Sequence, residues 1–404
     1  MPKTIVIHPG TQHSWQTALA FQEENELISL ITSIYCSDSL LEFVMKLPLN
    51  GNYKDKLLYE VGRRNAPYLD DDLVSTIGWA EYIEVFLRRL GYFKSAAWVD
   101  GIGNKSFLKS CRKIVRAEKP EVVWSFNMSS KELFEKKEQG VSYVLDQTIG
   151  NWEVYNQLVG GHYTTYKMFF REEFRSVPDE LIQRNYTEID LADKVIFGSE
   201  FAMQTFAGCG SGSNHIIPYG FDEKIFKSRA EKYNGGRLKF VFVGLLTPRK
   251  GIHLLLNVFS KLVEKYDIEL TLVGGNQLPN GVLEKYLNGR IKYLASVPRS
   301  SIPGILSRHH CFVFPTLFEG GGIVLYEACA SGLAIIQSKN CGDGIGNNNG
   351  VVMDDVTEEA LEQSVVKLIS DIGLLNTYMD NSYMWSKVRR WDNYRSKVRG
   401  LFNG

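Results

Sequence analysis

The stretch Phe318 to Gly332 reads F-E-G-G-G-I-V-L-Y-E-A-C-A-S-G. It follows V-F-P-T-L (Val313 to Leu317), an apolar run that predicts a buried strand. Residues Ile323 to Ala330 contain neither glycine nor proline and predict a buried helix. The order is therefore strand, glycine loop and helix, with Glu319 on the loop and Glu327 on the helix.

This arrangement suits a ligand that carries both phosphate and sugar hydroxyls. Glycines allow a backbone to approach a bulky polar ligand closely. The free N–H groups of a helix N-terminus bind anions, and carboxylates accept hydrogen bonds from hydroxyls. The combination favours a sugar nucleotide. The alternative is a tight strand-to-helix turn that carries two solvated glutamates.

A second segment, residues 240–251, reads F-V-F-V-G-L-L-T-P-R-K-G and predicts a strand, a loop and the start of a helix. Arg249 and Lys250 lie at the junction between loop and helix, where the helix dipole disfavours cations. Arginine bridges two phosphate oxygens and lysine adds a point charge. We therefore expect a diphosphate here, with two solvated surface cations as the alternative.

These segments resemble the retaining glycosyltransferases of family 4, which have the GT-B fold and a Glu-x7-Glu motif of the form E-G-x-G-x-x-x-x-E-A-x-A-x-G. The residues that match this motif are Glu319, Gly320, Gly322, Glu327, Ala328, Ala330 and Gly332. Val243 to Gly251 is similar to the family pattern V-G-x-L-x-x-R-K-G. Ile217 to Asp222 resembles the family link I-P-N-G-V-D, with Tyr219 in place of asparagine. The resemblance is strong from Asp193 to Cys341 and weak outside that range.

The resemblance implies a sugar nucleotide as the donor substrate and no cofactor. It implies that Glu327 binds the ribose and that Glu319 binds the transferred sugar. Arg249 and Lys250 would then stabilise the leaving diphosphate without a metal, and that phosphate would help to deprotonate the acceptor hydroxyl. The remaining donor-binding positions implied by the resemblance are Gly10, Gly244, Gly320, Gly321, Gly322, Ile323 and Val324.

Two side chains of the first half are further candidates for the catalytic site. His13 follows the first predicted strand and the turn at Gly10, and it is a candidate acid, base or phosphate contact. Asp146 follows the strand V-S-Y-V-L, at a place where many family members have a histidine that faces the donor sugar. A structural role for each residue is the alternative.

Strand-like runs alternate with helical stretches, which predicts parallel sheets with helices on both faces. We expect an α/β protein of GT-B type, in which two Rossmann-like, doubly wound domains face a central cleft. The expected divisions are an acceptor-side domain at 1–222, a nucleotide-sugar-binding domain at 223–380, and a C-terminal helix at 381–404 that crosses back. The predicted strands cover residues 4–8, 27–34, 121–124, 142–145, 194–197, 238–243, 268–273, 291–294, 311–314 and 334–337.

The composition narrows the class of protein. The 46 basic and 46 acidic residues cancel, which argues against nucleic acid as a partner. Six cysteines without a C-x-x-C spacing indicate a reducing compartment. The chain begins M-P-K-T-I-V-I-H, and we expect neither a signal peptide nor a membrane span, so a cytoplasmic location is predicted. Asp70 to Asp72 contains a D-x-D pattern, but its polar surroundings favour a solvated turn over a metal site.

Residues Leu87 to Lys119 are rich in cations and aromatic side chains. The cations are Arg88, Arg89, Lys94, Lys105, Lys109, Arg112, Lys113, Arg116 and Lys119, against the acidic Asp100 and Glu118. Tyr92, Phe93, Trp98 and Phe107 lie between them. This pattern favours peripheral docking on the inner face of an anionic membrane, with a helix whose basic face is merely solvated as the alternative.

The predicted function is transfer of a sugar to a hydroxyl of a glycan or lipid-linked acceptor, with bacterial surface polysaccharide synthesis as the expected context. One alternative is a sugar-nucleotide 2-epimerase of the same fold, which needs extra acid/base residues around the sugar. Another is a non-catalytic protein that binds sugar nucleotides or polysaccharide.

Overall fold

The computed structural model describes residues 1–10, 13–48, 50–62, 64–78, 80–81, 83–84, 87, 90–346 and 348–402. The strands of the first half are β1 (Thr4–Ile7), β2 (Leu27–Thr32), β3 (Val74–Thr76), β4 (Val122–Phe126), β5 (Ser142–Gln147), β6 (Lys194–Phe197) and β7 (Ser213–Ile216). Those of the second half are β8 (Leu238–Val243), β9 (Ile268–Val273), β10 (Ile291–Leu294), β11 (Cys311–Phe314), β12 (Ala334–Ser338) and β13 (Gly350–Met353).

Helices alternate with these strands in both halves. The described α-helices before β8 are α1 (Ser14–Gln22), α2 (Asp38–Lys46), α3 (Gly51–Gly62), α4 (Phe93–Glu118), α5 (Lys131–Phe134), α6 (Trp152–Tyr166), α7 (Asp179–Leu191) and α8 (Glu200–Gln204). Those that follow are α9 (Ile252–Lys265), α10 (Ile302–Leu306), α11 (Ile323–Ala330), α12 (Glu358–Ser370), α13 (Ile372–Ser386) and α14 (Trp391–Gly400). Short 3-10 helices lie at Asp71–Leu73, Lys167–Phe169, Pro248–Lys250, Leu283–Lys285 and Arg299–Ser301.

The strands form two parallel sheets. The first has the order β3-β2-β1-β4-β5-β6-β7 and the second has the order β10-β9-β8-β11-β12-β13. The strand order reverses between β1 and β4 in the first sheet and between β8 and β11 in the second. Ligands of such sheets bind at the carboxyl ends of the strands that flank the reversal. This architecture confirms the predicted fold class.

The predicted strands of the second sheet are nearly correct because most of their residues are apolar, as expected of strands in a largely buried parallel sheet. All six residues of β9 are buried. Three strands were not predicted: β3, β7 and β13. Each is an edge strand of three or four residues that carries polar or glycine residues, so the apolar signal is weak.

One boundary error affects the site. Asp146 was predicted to follow its strand, but β5 continues through Asp146 and Gln147, and both residues are fully buried. The physical reason is that both side chains find polar partners inside the protein. Gln147 exchanges hydrogen bonds with the buried Asn185 of α7.

The last helix of the chain packs on the first half. Tyr394 of α14 forms a hydrogen bond of 2.8 Å with the Thr17 hydroxyl of α1, and Arg395 donates to Gln16. The preceding helix α13 packs instead on α11 and β12 of the second half. The crossing between the halves therefore lies at residues 387–390, and residues 403–404 of the predicted helix lie outside the described residues.

Candidate active site

The two strand-order reversals place the predicted residues of the two halves at corresponding positions. Gly10 and His13 follow β1 of the first sheet. Arg249 and Lys250 follow β8 of the second sheet, and Glu319 follows β11. The carboxyl ends of the strands at the two reversals, where the topology predicts ligand sites, therefore carry the residues that the sequence motifs predict.

Arg249, Lys250 and Glu319 form one cluster of charges. The Lys250 ammonium contacts the Glu319 carboxylate, and the same carboxylate oxygen accepts a hydrogen bond of 3.1 Å from Arg249. Arg249 also donates to the Phe318 carbonyl at 2.9 Å. The cluster is largely enclosed, since the exposed fractions of the Lys250 and Glu319 side chains are 13% and 16%.

Burial lowers the pKa of Lys250 through lost hydration, and the neighbouring Arg249 guanidinium lowers it further. The contact with Glu319 acts in the opposite direction, because an opposite charge favours the ammonium form. Arg249 also has a lowered pKa for the same reason of burial. Two cations crowded into a site with one carboxylate leave a net positive charge, which suits an incoming anion.

Glu319 of this cluster lies on the glycine loop that leads into α11. Gly322 precedes the helix with φ 64°, in the left-handed region. Among the described residues, no acceptor contacts the N–H groups of residues 321–324. Gly320 differs, because its N–H donates to Glu319 at 3.3 Å. The predicted backbone donors are thus free at Gly321, Gly322, Ile323 and Val324 and occupied at Gly320.

Glu327 lies one turn further along α11 and is 5% exposed. Its carboxylate contacts the guanidinium of Arg299, on the 3-10 helix that follows β10. Burial raises the pKa of Glu327 to about 7, while Arg299 acts to lower it. The motifs did not mark Arg299, because nothing in its local sequence indicates a partner 28 residues away.

The glycine loop that precedes α11 is attached to the first half of the molecule. The Ser199 hydroxyl, from the loop after β6, donates to the Gly320 carbonyl at 2.5 Å. A Cβ at Gly320 would lie 1.9 Å from the Thr148 carbonyl oxygen, and a Cβ at Gly321 would overlap the ring of Tyr219. Glycine is therefore required here for close packing against the other half.

His13 and Asp146 lie together, although 133 residues separate them in the sequence. His13 Nε2 is 3.0 Å from Asp146 Oδ2, and the Trp124 indole N–H donates to the same oxygen at 3.3 Å. The other Asp146 oxygen is buried without a hydrogen-bond partner. The His13 ring packs on Tyr219, with ring centroids 4.2 Å apart. Sequence reasoning found both residues but not their pairing.

Two glycines predicted to approach the donor use their N–H groups elsewhere. The Gly10 N–H donates to His8 Nδ1 at 2.8 Å, and the Gly244 N–H donates to the Val273 carbonyl at 2.9 Å. These two glycines can therefore contribute to a ligand site only by leaving space for the ligand to approach the backbone closely.

A cavity of about 360 Å³ lies beside Gly10, at the reversal between β1 and β4. Its polar lining includes His8, Asn127 and Ser129. Burial lowers the pKa of His8 to about 4, so this imidazole is neutral near pH 7. Asn127 also accepts hydrogen bonds from the Thr148 backbone and hydroxyl. Because Thr148 touches Gly320, a single residue connects the cavity to the glycine loop.

The D-x-D aspartates have local structural roles. Asp70 caps the 3-10 helix by accepting from the Asp72 N–H at 3.1 Å, and Asp71 accepts a hydrogen bond of 2.5 Å from the Tyr35 hydroxyl. In the part of the chain that the structure describes, no group of three histidine, cysteine or acidic side chains has the geometry to hold a metal ion. All six cysteines are free thiols, and five of them are buried.

Comparison with known proteins agrees with this geometry. Residues 223–385 match the family model described as "Glycosyl transferases group 1". A curated relative from Arabidopsis thaliana, one of the subunits of phosphatidylinositol N-acetylglucosaminyltransferase, is 24% identical over 52% of this chain and 50% of its own length. The chain spans about half the length of the first curated relatives it matches.

Solved structures match over the whole chain. Sucrose-phosphate synthase from Thermosynechococcus elongatus superposes with a TM-score of 0.66 at 15% identity, covering 99% of this chain and 98% of that one. Anabaena HepE, solved with UDP and glucose, superposes with a TM-score of 0.59 at 12% identity and covers 100% of both chains. At these identities the likeness shows the fold alone. The protein therefore has the GT-B fold, and its residues 223–385 are similar to the glycosyl transferases group 1 domain.

Proposed function

We propose that the protein is a retaining glycosyltransferase that moves a sugar from a nucleoside diphosphate sugar to a hydroxyl of a glycan or lipid-linked acceptor. The observation that carries the proposal is the contact of Arg249 and Lys250 with Glu319, on the loop that leads into the free N–H groups at the start of α11. Preorganised donors of this kind stabilise the negative charge that develops on a leaving diphosphate. The relatives named above support the activity class, and the UDP complex of HepE supports the donor class.

The proposed mechanism assigns a role to each part of the site. Arg249, Lys250 and the N–H groups of Gly321 to Val324 hold the diphosphate and require no metal. Glu319 binds hydroxyls of the transferred sugar and Glu327 binds the ribose. The leaving phosphate accepts the proton of the acceptor hydroxyl on the same face of the sugar, so the anomeric configuration is retained.

His13 and Asp146 are proposed to form the floor of the site on the side of the first half. Asp146 holds the ring of His13, and its second oxygen is buried without a hydrogen-bond partner. The alternative is that His13 and Asp146 have a purely structural role, which is to support the ring of Tyr219. Asp146→Asn would keep the shape of the pair and remove its charge.

The test is a panel of radiolabelled sugar nucleotides incubated with the full chain, with and without EDTA. We expect slow hydrolysis or transfer of one donor, release of the sugar with its original anomeric configuration by NMR, and no effect of EDTA. Formation of an epimer, or binding without turnover, would favour one of the two alternative functions. Loss of activity in EDTA that Mn²⁺ or Mg²⁺ restores would contradict the metal-free assignment.

Glu327→Ala is expected to weaken donor binding while the protein remains folded. A charge-assisted hydrogen bond to a ribose hydroxyl is worth about 1.5–3 kcal/mol. Calorimetry with the nucleoside diphosphate of the preferred donor measures the loss. Unchanged affinity in the folded variant would rule out the ribose assignment.

The cavity beside Gly10 is the proposed position of the acceptor hydroxyl. It lies at a strand-order reversal, and Asn127 and Thr148 connect it to the donor loop. The neutral His8 imidazole and the amide of Asn127 suit hydrogen bonds to hydroxyls.

A membrane contact is proposed for helix α4. Its exposed side chains of one face, spaced three or four residues apart, form what we call the basic stripe: Lys94, Trp98, Ile102, Lys105, Lys109 and Lys113. Trp98 is 69% exposed. By contrast, Phe107 is buried and Arg116 pairs with Glu138, while Arg88 and Arg89 lie outside the described residues. None of the described helices is long and apolar enough to span a bilayer.

Replacing Lys105, Lys109 and Lys113 by Glu is expected to abolish salt-sensitive binding to anionic vesicles. Each lysine near such a surface contributes about 1 kcal/mol, and salt screens the attraction. A variant with the same change of charge at the exposed Lys265, Lys285 and Lys339 of the second half is the control. The measurement is co-sedimentation with phosphatidylserine vesicles at low and high salt. Equal binding to neutral vesicles, or equal loss in the control, would contradict docking by the stripe.

A further inference from the structure

Arg299 and Glu327 form an ion pair between a surface residue and a buried one. The Arg299 side chain is 59% exposed, whereas that of Glu327 is 7% exposed. The contact joins Arg299 Nη2 to Glu327 Oε1. Only one carboxylate oxygen is engaged, and a carboxylate has about four lone-pair sites. The second oxygen can therefore accept a hydrogen bond from a ligand while the pair persists.

Other charged groups near α11 are engaged elsewhere. Asp343 contacts Arg389 and the Tyr326 hydroxyl. On α13, Asp380 pairs with Arg229 and Lys232. Strands β11 and β12, which flank the helix, carry no charged side chain. Among the described residues, Arg299 is thus the cation that lowers the pKa of Glu327, whereas burial raises that pKa.

We propose that Arg299 is a positioning residue of the donor site, which keeps Glu327 ionised and oriented for a nucleoside ribose. The inference rests on the proposed function, since it assumes that Glu327 binds the ribose. Without Arg299, Glu327 is an isolated acid in a buried site and takes up a proton more readily. A protonated carboxyl is a weaker acceptor for the ribose hydroxyls than a carboxylate.

The proposal predicts a changed pH profile for nucleotide binding rather than a uniform loss. We would titrate the full chain with UDP, GDP and ADP from pH 5.5 to 9 and follow the nucleotide that binds. Nucleotide affinity should fall as the pH is lowered and Glu327 takes up a proton. In Arg299→Ala the midpoint of this fall should lie about one pH unit higher, which is a loss of about tenfold in affinity near neutral pH. Affinity should recover at the alkaline end. Arg299→Lys should shift less, and the exposed Arg308→Ala should match the unchanged protein.

Glu327→Gln distinguishes failure of the inference from failure of the proposed function. If Glu327 binds the ribose as a carboxylate, Glu327→Gln weakens nucleotide binding and removes the loss of affinity at low pH. Adding Arg299→Ala to Glu327→Gln then has no further effect on binding. A uniform loss at every pH in Arg299→Ala, or additive losses in the double variant, would overturn the role of Arg299 alone. Normal binding by Glu327→Gln would overturn the ribose assignment, and the inference with it.

A measurement without ligand keeps the inference testable even if no nucleotide binds. The folded-state pKa of Glu327 is about 7, above its ordinary value of 4.5. Its contribution to stability is therefore fully present below pH 4.5 and is lost as the pH rises to about 7. In Arg299→Ala this loss should be larger and extend to higher pH, and in Glu327→Gln it should vanish. Unfolding curves for Arg299→Ala that match those of the unchanged protein at all pH values would overturn the inference.

Discussion

Glu319→Gln is expected to change transfer and nucleotide binding in opposite directions. Glu319 now neutralises part of the charge of Arg249 and Lys250, so removing its charge should tighten binding of a nucleoside diphosphate. The same change removes the carboxylate that is proposed to bind the transferred sugar. We expect transfer to fall roughly 10–100-fold, from the loss of about 1.5–3 kcal/mol in hydrogen bonds to a charged acceptor.

The measurement is turnover of the preferred donor beside calorimetry with its nucleoside diphosphate. Glutamine keeps the oxygen that accepts from the Gly320 N–H, so the local backbone should persist. Weaker nucleotide binding in Glu319→Gln would show that Glu319 orients the two cations instead of competing for them. Unchanged transfer would exclude contact with the sugar.

Arg249→Ala combined with Lys250→Ala should have the largest effect on turnover. Removing one preorganised donor from a developing charge raises a barrier by about 2.7–4 kcal/mol, so two removals should lower the rate by at least about 100-fold. Stability also falls, because Glu319 is left largely enclosed without a cation. Turnover and melting temperature must therefore be measured together.

A triple variant that adds Glu319→Gln separates the two effects. It removes the uncompensated carboxylate, so the melting temperature should recover while turnover remains low. Recovery of turnover together with stability would contradict a direct role of Arg249 and Lys250 in transfer. Conversely, a persistent loss of stability would mean that the two cations support the fold independently of Glu319.

Local sequence was enough to predict most of the second half. Strands β8 to β11 match their predictions because each is rich in apolar residues. Helix α11 matches because its limits are set by Gly322 and Ser331. The topology then followed from the alternation of strands and helices. In the first half, the edge strands and the end of β5 were missed, because their residues are polar and become buried only through distant partners.

The pairings inside the candidate site could not be predicted. Arg249 and Glu319 are 70 residues apart, and His13 and Asp146 are 133 residues apart. Motif spacing marked these residues individually, but spacing along a chain does not determine which side chains meet across two sheets. Arg299 and Tyr219 are two examples. Arg299 lies in a polar turn, and Tyr219 stands where the family link usually has asparagine. Both residues contact the candidate site only in the folded protein.

The chain crosses between the two halves at two places that lie side by side. Phe221 pairs with Arg390 as an isolated parallel bridge, and a Cβ at Gly220 would lie 2.3 Å from the Trp391 nitrogen. After the second crossing, α14 returns to α1, with the Phe402 ring packed near Phe21. Residues 223–388 thus form a segment inserted into the first half, and the two ends of this segment lie next to each other. The corresponding segment of a related protein could therefore be exchanged at these two adjacent junctions, leaving the first half, the proposed acceptor side, intact.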